Sequence, residues 1–248
     1  MSGVRIVWQA LSLALLLAAW QSASLAAPAA TLPPPAMVLA VLVKALGQGD
    51  LLHHLAATLA RVAISFALAL SLGSVIGMML GRVAVLDRLF DFWVVFFLNL
   101  PALVTAILCF VWFGLGEGAA LTAVALNKIP SVVVTLREGA RTLDAGYGDL
   151  ARIYRLGRWL TLRHVVLPQL APYLMVAARS GLALIWKIVL VVELLGRSDG
   201  IGFKLHLFFQ SFDVAGILAY SLAFILVIQA IELALLAPLE RKAAHWRD

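Results

Sequence analysis

A chain of 248 residues that is 63% hydrophobic, 13% charged and of net charge +6 is too apolar for an ordinary soluble domain of that size. Its mean hydropathy of +1.01 is concentrated in several long runs that match the roughly 20 helical residues needed to cross a hydrocarbon core. The runs lack the polar–apolar alternation of barrel strands, which excludes a membrane β-barrel, and the single cysteine, Cys109, excludes an intrachain disulfide or a cysteine-based metal site.

Six membrane spans are expected, at 7–27, 56–80, 92–113, 117–136, 171–195 and 214–237, so the fold class is an all-α membrane protein. No repeat period is visible, and residues 1–248 are read as one domain with its core at 56–237. The first run, LSLALLLAAW followed by SASLAAPAA, resembles a signal peptide with an Ala-x-Ala site; its length, with Trp8 and Trp20, favours a retained helix. His53 and His54 read as an exposed loop pair before the second span, with no third ligand for a metal.

Within the second span, Gly73, Gly77 and Gly81 recur at a spacing of four, which lines one helix face and lets a neighbouring backbone come close. Packing within the subunit is favoured over a dimer contact. Pro101 in the third span and Pro130 in the fourth are expected to kink their helices or free a carbonyl. Polar and ionisable groups inside spans face a cavity or a partner. Asn99, Asn127, Lys128 and, on the fifth span, Lys187 are therefore the candidates for a translocation path, with Pro101 as a residue that shapes it, and the positive charge of the two lysines would suit an anionic solute. Arg179 lies on the fifth span as well. Glu193 precedes Arg197 by four residues, the favourable order for a helical ion pair.

Lys and Arg fix the orientation. With the amino terminus in the cytoplasm, Arg5, Arg82, Arg88, Arg137, Arg141, Arg152, Arg155, Arg158, Arg163, Arg241, Lys242 and Arg247 all lie inside. The outer loops hold only Lys44, Arg197 and Lys204, with Arg61 just inside the second span. Both termini are then cytoplasmic, and the basic balance needs no nucleic acid. The longest connection, 137–170, falls on the cytoplasmic side, and long loops in compact proteins are usually functional. Within it, Leu150, Ile153, Tyr154, Gly157 and Leu160 gather on one side of a helical wheel opposite the arginines. One amphipathic helix or two short ones would fit, either lying on anionic lipid or docking a soluble partner.

The segment DLARIYRLGRWLTLRHVVLP (149–168) also resembles the Glu-Ala-Ala loop of ABC-importer permeases, whose frame is Glu-Ala-Ala, three residues, Gly, nine residues, Ile-x-Leu-Pro. Anchored on Leu167 and Pro168, the frame puts Val165 in the Ile place, Ala151 on the second Ala and Asp149 in place of Glu. Arg155 stands where the frame has Gly, with Gly157 two residues on. Arg158-Trp159 and HVVLP, with LPPPAMVLA from Leu32, VWFGLGEG from Val111, VVELLGRSDGIGFKL from Val191 and FDVAGILAY from Phe212, resemble the nitrate/sulfonate/taurine-type branch. The resemblance extends from about Leu32 to Arg241.

That resemblance implies a type I ABC importer permease fold with a cytoplasmic coupling helix between spans four and five, in the bacterial inner membrane. It implies two copies of the chain, two copies of a separate ATP-binding subunit docked on the loops, and a periplasmic or lipid-anchored solute-binding protein. The ATPase-coupling residues would be Asp149, Ala151, Arg155, Gly157, Arg158, Trp159, Leu167 and Pro168. No catalytic residue, metal or directly bound cofactor is expected, and the sequence has no Gly-x-x-x-x-Gly-Lys-Ser/Thr phosphate loop, so ATP would be used by the partner subunit. An Arg in a turn that needs positive φ is poorly tolerated, so Arg155 would weaken such a turn unless Gly157, two residues on, took it over. The rival readings are an ion-coupled secondary transporter, which would favour inverted repeats and a buried acidic site, and a non-transporting membrane scaffold.

Overall fold

An apolar run in a medium without hydrogen-bonding partners must satisfy its own backbone, and a helix does so within one segment. The computed structural model describes residues 2–236 and shows no strand among them. Arg241, Lys242, His245 and Arg247, and the last residue of the sixth expected span, lie outside the described residues. The helices are α1 (Ser2–Ala26), α2 (Pro35–Gly47), α3 (Asp50–Arg82), α4 (Ala84–Leu98), α5 (Ala102–Phe113), α6 (Glu117–Arg141), α7 (Ala145–Ile153), α8 (Arg158–Thr161), α9 (Leu167–Gly196), α10 (Ile201–Gln210) and α11 (Val214–Ile231). One π-helical turn, Leu162–Val166, joins α8 to α9, and another, Glu232–Leu236, extends α11.

Five segments are long and apolar enough to cross a membrane, and α4 and α5, bent by 97° at their break, bring the number to six if the pair counts as one span. The bend falls where α5 begins after Pro101, whose φ of −61° suits the residue entering a helix. Pro130, by contrast, sits inside α6 without ending it. Two helices lie outside the expected spans, because α2 and α10, at 13 and 10 residues, are too short to cross. Consecutive prolines open α2, a helix-start signal. Both α6 and α9 run past their expected ends, so the connection expected at 137–170 narrows to 142–166.

Helix α6 is the axle of the bundle. Small residues recur every four positions along α3, at Ser65, Ala69, Gly73 and Gly77, and all four are buried. A Cβ on Gly73 would lie 2.6 Å from Val132 Cβ, one on Gly77 would lie 2.7 Å from the Val133 carbonyl, and one on Gly81 would lie 2.5 Å from the Arg137 carbonyl. The glycines thus let α3 and α6 approach backbone to backbone, where dispersion replaces the missing hydrophobic drive. On the other flank of α6, Gly139 sits under the Tyr173 ring of α9.

Charges lock both ends of this block. Arg61 of α3, 4% exposed, meets three carboxylates: Glu193 of α9 at 2.7 Å, Glu117 at the start of α6, and Asp199 in the α9–α10 turn. Glu193, 0% exposed, also accepts from Thr58 Oγ1 at 2.9 Å and from the Gly202 N–H at 2.9 Å. The Ile201 N–H donates to Thr58 Oγ1 and the Gly200 N–H to His54 Nδ1. The unpaired N–H groups that begin α10 are therefore taken up by side chains of α3 and α9. Gly200 is needed here: its φ is +105°, and a Cβ would lie 2.3 Å from the Glu193 carboxyl carbon.

Two sequence expectations are corrected by this arrangement. Glu193 turns inward to Arg61, while Arg197 binds Glu117 at 2.9 Å and the Leu115 carbonyl at 2.8 Å, so no Glu193–Arg197 side-chain pair forms. His54 is a buried member of α3, while His53 alone remains exposed. At the opposite end, Arg137 binds Asp87 at 3.3 Å and Asp91 at 2.5 Å, and Arg141 binds Asp87, tying α6 to α4.

Three outcomes are expected in thermal and acid unfolding of the detergent-solubilised chain. Gly77→Leu forces α3 off α6 and costs at least about 3 kcal/mol, whereas Gly118→Ala, with open space around it, is neutral or stabilising. Arg61→Met strands the buried Glu193 and costs about 3–5 kcal/mol, and adding Glu193→Leu recovers much of that loss because no unpaired buried charge remains. Burial alone would raise the Asp199 carboxyl, but its hydrogen bond to Arg61 holds it below the ordinary aspartate range. Its stabilisation is complete above the unfolded value of about 3.9 and is lost as pH falls through the lowered folded value, so Asp199→Asn flattens the acid limb of the stability curve.

Candidate coupling loop and translocation path

The connection between α6 and α9 is built by caps. Asp144 precedes α7, and its carboxylate accepts from the Gly146 N–H at 2.8 Å, the preferred use of aspartate at a helix start. Its own N–H donates to Gln169 Oε1 at 3.0 Å, which fastens the start of α7 to α9. Thr142 Oγ1 lies 3.1 Å from the Tyr173 hydroxyl, a second tie between the end of α6 and α9.

At its other end α7 closes in a Schellman motif. The Arg155 N–H donates to the Arg152 carbonyl at 3.0 Å and the Leu156 N–H to the Ala151 carbonyl at 2.9 Å. The motif needs a left-handed residue after the cap, and that residue is Arg155, with φ +49°. Gly157 has φ −60° and starts α8. Of the two residues, Arg155 itself therefore adopts the glycine conformation, at a cost of about 1–2 kcal/mol for an L side chain. Among the described non-glycine residues only Phe212 shares a positive φ, and it closes α10 through the same pair of bonds.

Asp149, Arg155, Gly157, Arg158 and Trp159 come together on this projection, whose residues from Arg152 to Leu160 are all exposed. Tyr154 is 74% and Trp159 69% exposed, whereas Ala151 is 4% exposed. Ala151, the one position with an alanine in the frame, is thus the one turned into the protein. Leu167 and Pro168 lie apart, at the root of α9. Pro168 lacks an N–H and its ring crowds the carbonyl four residues back, and the π-helical turn Leu162–Val166 absorbs that break.

The candidates for a path fall in three places. Asn99, Pro101 and Asn127 meet at the α4–α5 break, where Asn99 Nδ2 donates to the Val95 carbonyl and Asn127 Nδ2 to the Leu100 carbonyl. Lys128, 2% exposed, is sealed inside the bundle, its Nζ 2.6 Å from Ser131 Oγ and its Cε beside Gly181. Lys187 is exposed and lines a cleft of about 540 Å³ between α9 and α11, with Arg179, Trp186, Ser221, Phe224 and Glu232 on its walls. Lys128 and Lys187 therefore do not share one cavity. Among the described residues no cluster of His, Cys, Asp or Glu could hold a metal.

The residue that the sequence reading left without a role is Arg61, with its partners Glu117 and Asp199. The available signal was charge compensation: an arginine just inside the outer end of one span calls for a buried carboxylate, and Glu193 stands near the outer end of the fifth span.

The family model for the binding-protein-dependent transport system inner membrane component matches residues 69–237. A protein of Escherichia coli (strain K12) described as an aliphatic sulfonates transport permease, SsuC, is 33% identical over 194 residues, 76% of this chain and 72% of that one. The taurine transport system permease protein TauC of the same organism is 27% identical over 87% of this chain and 80% of its own. In fold, the chain is similar to a solved structure of the MetNI methionine ABC transporter in an inward-facing conformation, with TM-score 0.62 at 18% identity over 76% of this chain and 92% of that one. An amino acid ABC transporter gives TM-score 0.53 at 17% identity over 83% and 96%. With more than half its length matched and its helices in the same arrangement, the chain belongs to the family of binding-protein-dependent transport system inner membrane components.

Proposed function

We propose that this permease subunit works with a separate ATP-binding subunit that docks on residues 149–168, and that it carries a small organic anion delivered by a solute-binding protein. The observation that carries the reading is the projection itself. Ala151 anchors it, Asp144 and the Schellman motif shape it, and it presents Tyr154, Arg155, Arg158 and Trp159 to solvent. Tyr, Trp and Arg are the residue types that dominate binding hot spots, and a surface made only to rest on lipid has no use for a capped helix–turn–helix.

The loop end of the bundle is then cytoplasmic, together with both termini, and the Arg61 cluster lies at the outer side. ATP would be hydrolysed by the partner, and two copies of the chain would enclose the path. The lysines support an anionic cargo, and similarity to proteins described as sulfonate and taurine permeases favours an organic one. Lys187, on a cleft that also offers Trp186 and Phe224, suits an anion with an apolar body. Lys128, inside the bundle, would act through the field it sets up within the path.

A tagged full-length chain expressed in its native host is expected to bring down an ABC-type ATPase, and Ala151→Glu, which puts a charge where a buried alanine stands, to lose it. Recovery of no ATPase by the unsubstituted chain contradicts the reading. In proteoliposomes loaded with the recovered complex, Lys128→Met combined with Lys187→Met is expected to cut ATP-driven uptake of alkanesulfonates or taurine at least about tenfold, equivalent to 1.4 kcal/mol. Undiminished anion uptake contradicts the role given to the lysines.

A further inference from the structure

The geometry points to Arg155 as a docking residue held in a strained backbone so that its guanidinium meets a carboxylate in an acidic cleft of the ATP-binding subunit. This rests on the coupling role proposed above and adds to it the chemistry of the partner surface. Three observations carry it. Arg155 has φ +49° in a Schellman position that glycine fills without strain. Strain of that kind persists where the side chain has a use that a glycine cannot serve. Nothing within the described part of the chain uses it: the Arg155 side chain has no hydrogen bond or ion pair there and is exposed.

The second observation is the charge around it. Arg158 and Arg163 are likewise exposed and without a side-chain partner among the described residues, and Arg152 has only the exposed Asp149, at 3.0 Å. Asp149 is the sole acidic side chain between Ala145 and Gln169. Four arginines against one aspartate make a surface that an acidic cleft complements and a neutral or basic one rejects. The third is placement. Arg155 occupies the turn between α7 and α8, at the tip of the projection between Tyr154 and Trp159, which supply rigid apolar area at small entropic cost. Arginine rather than lysine fits that position, because a planar fork matches a carboxylate in two hydrogen bonds.

An anionic lipid surface is the competing occupant. Lipid headgroups are mobile and are reached by long side chains from any unstrained backbone, so lipid attraction would not keep an arginine in the left-handed region when Arg152, Arg158 and Arg163 already serve.

The test compares the full-length permease, in nanodiscs of neutral phosphatidylcholine, with variants Arg155→Gly, Arg155→Asn and Arg155→Lys, measuring binding of the co-purified ATP-binding subunit at low and high salt. Glycine and asparagine both relieve the backbone and remove the charge, whereas lysine keeps the charge and the strain. The glycine and asparagine variants are expected to unfold at higher temperature alone, yet to bind the ATP-binding subunit roughly tenfold more weakly, with a shallower salt dependence. The lysine variant keeps the salt dependence and most of the affinity. Glycine or asparagine variants that bind as tightly as the unsubstituted chain, with the same salt dependence, overturn the inference. So does a loss confined to binding of phosphatidylglycerol vesicles. If Ala151→Glu abolishes ATPase binding while Arg155→Gly does not, only the role of Arg155 falls. If the unsubstituted chain binds no ATP-binding subunit, the coupling reading falls with it.

Discussion

A guanidinium buried among apolar helices is tolerable only if negative charge surrounds it in the right geometry, and the arrangement at one end of this bundle follows from meeting that demand at Arg61. Glu193 must come from α9, Glu117 from α6 and Asp199 from the turn after α9. To bring them together, α3, α6 and α9 must be in register, and the chain after α9 must fold back through Gly200 and Gly202 to lay its amides on Glu193 and Thr58. Asp50 extends the same logic, joining the start of α3 to Lys204 of α10 at 2.8 Å and to the Tyr220 hydroxyl of α11. The bundle is thus stapled by charge at that end and by the Arg137–Asp87–Asp91 contacts at the other, with close glycine packing between.

That construction makes α6 a strut. Its first residue, Glu117, belongs to the Arg61 cluster, and its last, Arg141, leads into the α7–α8 projection. Twenty-five residues of helix span about 37 Å at 1.5 Å per residue, so a force applied at the projection has a stiff element through which to act on the far end. The glycine face of α3 packs directly against it. The face between α3 and α6 is buried and closely packed, whereas the projection is exposed, basic and, at Arg155, strained.

The elements that depend on local pattern were legible in the sequence. Long apolar runs gave the spans, Pro101 marked the α4–α5 break, and glycines spaced by four marked the close face of α3. What escaped depends on contacts between distant residues. Arg61 and Glu193 are 132 positions apart, and the nearer Arg197 offered a plausible partner at helical spacing that the fold does not use. His54 looked like loop because the apolar run begins after it, yet its ring is held by Gly200 of a distant turn. Helices α2 and α10 were missed because a criterion built on crossing a membrane does not see helices of 13 and 10 residues. In the α6–α9 connection the Leu167-Pro168 frame does not say which residue carries the left-handed turn. Glycine is the usual occupant, so Arg155 and Gly157 both stayed open, and only the backbone geometry decides for Arg155.

Docking as proposed buries the tip of the α7–α8 projection in an ATP-binding subunit. Site-specific photo-crosslinking in native membranes tests it most directly, with a photoreactive amino acid placed at Tyr154 or Trp159 and a control at the exposed Leu115 of the opposite end. Both tip positions are expected to crosslink to one protein, identified by mass spectrometry as an ABC-type ATPase, and the control is not. Crosslinks from the tip to lipid alone, or to no protein, would contradict it.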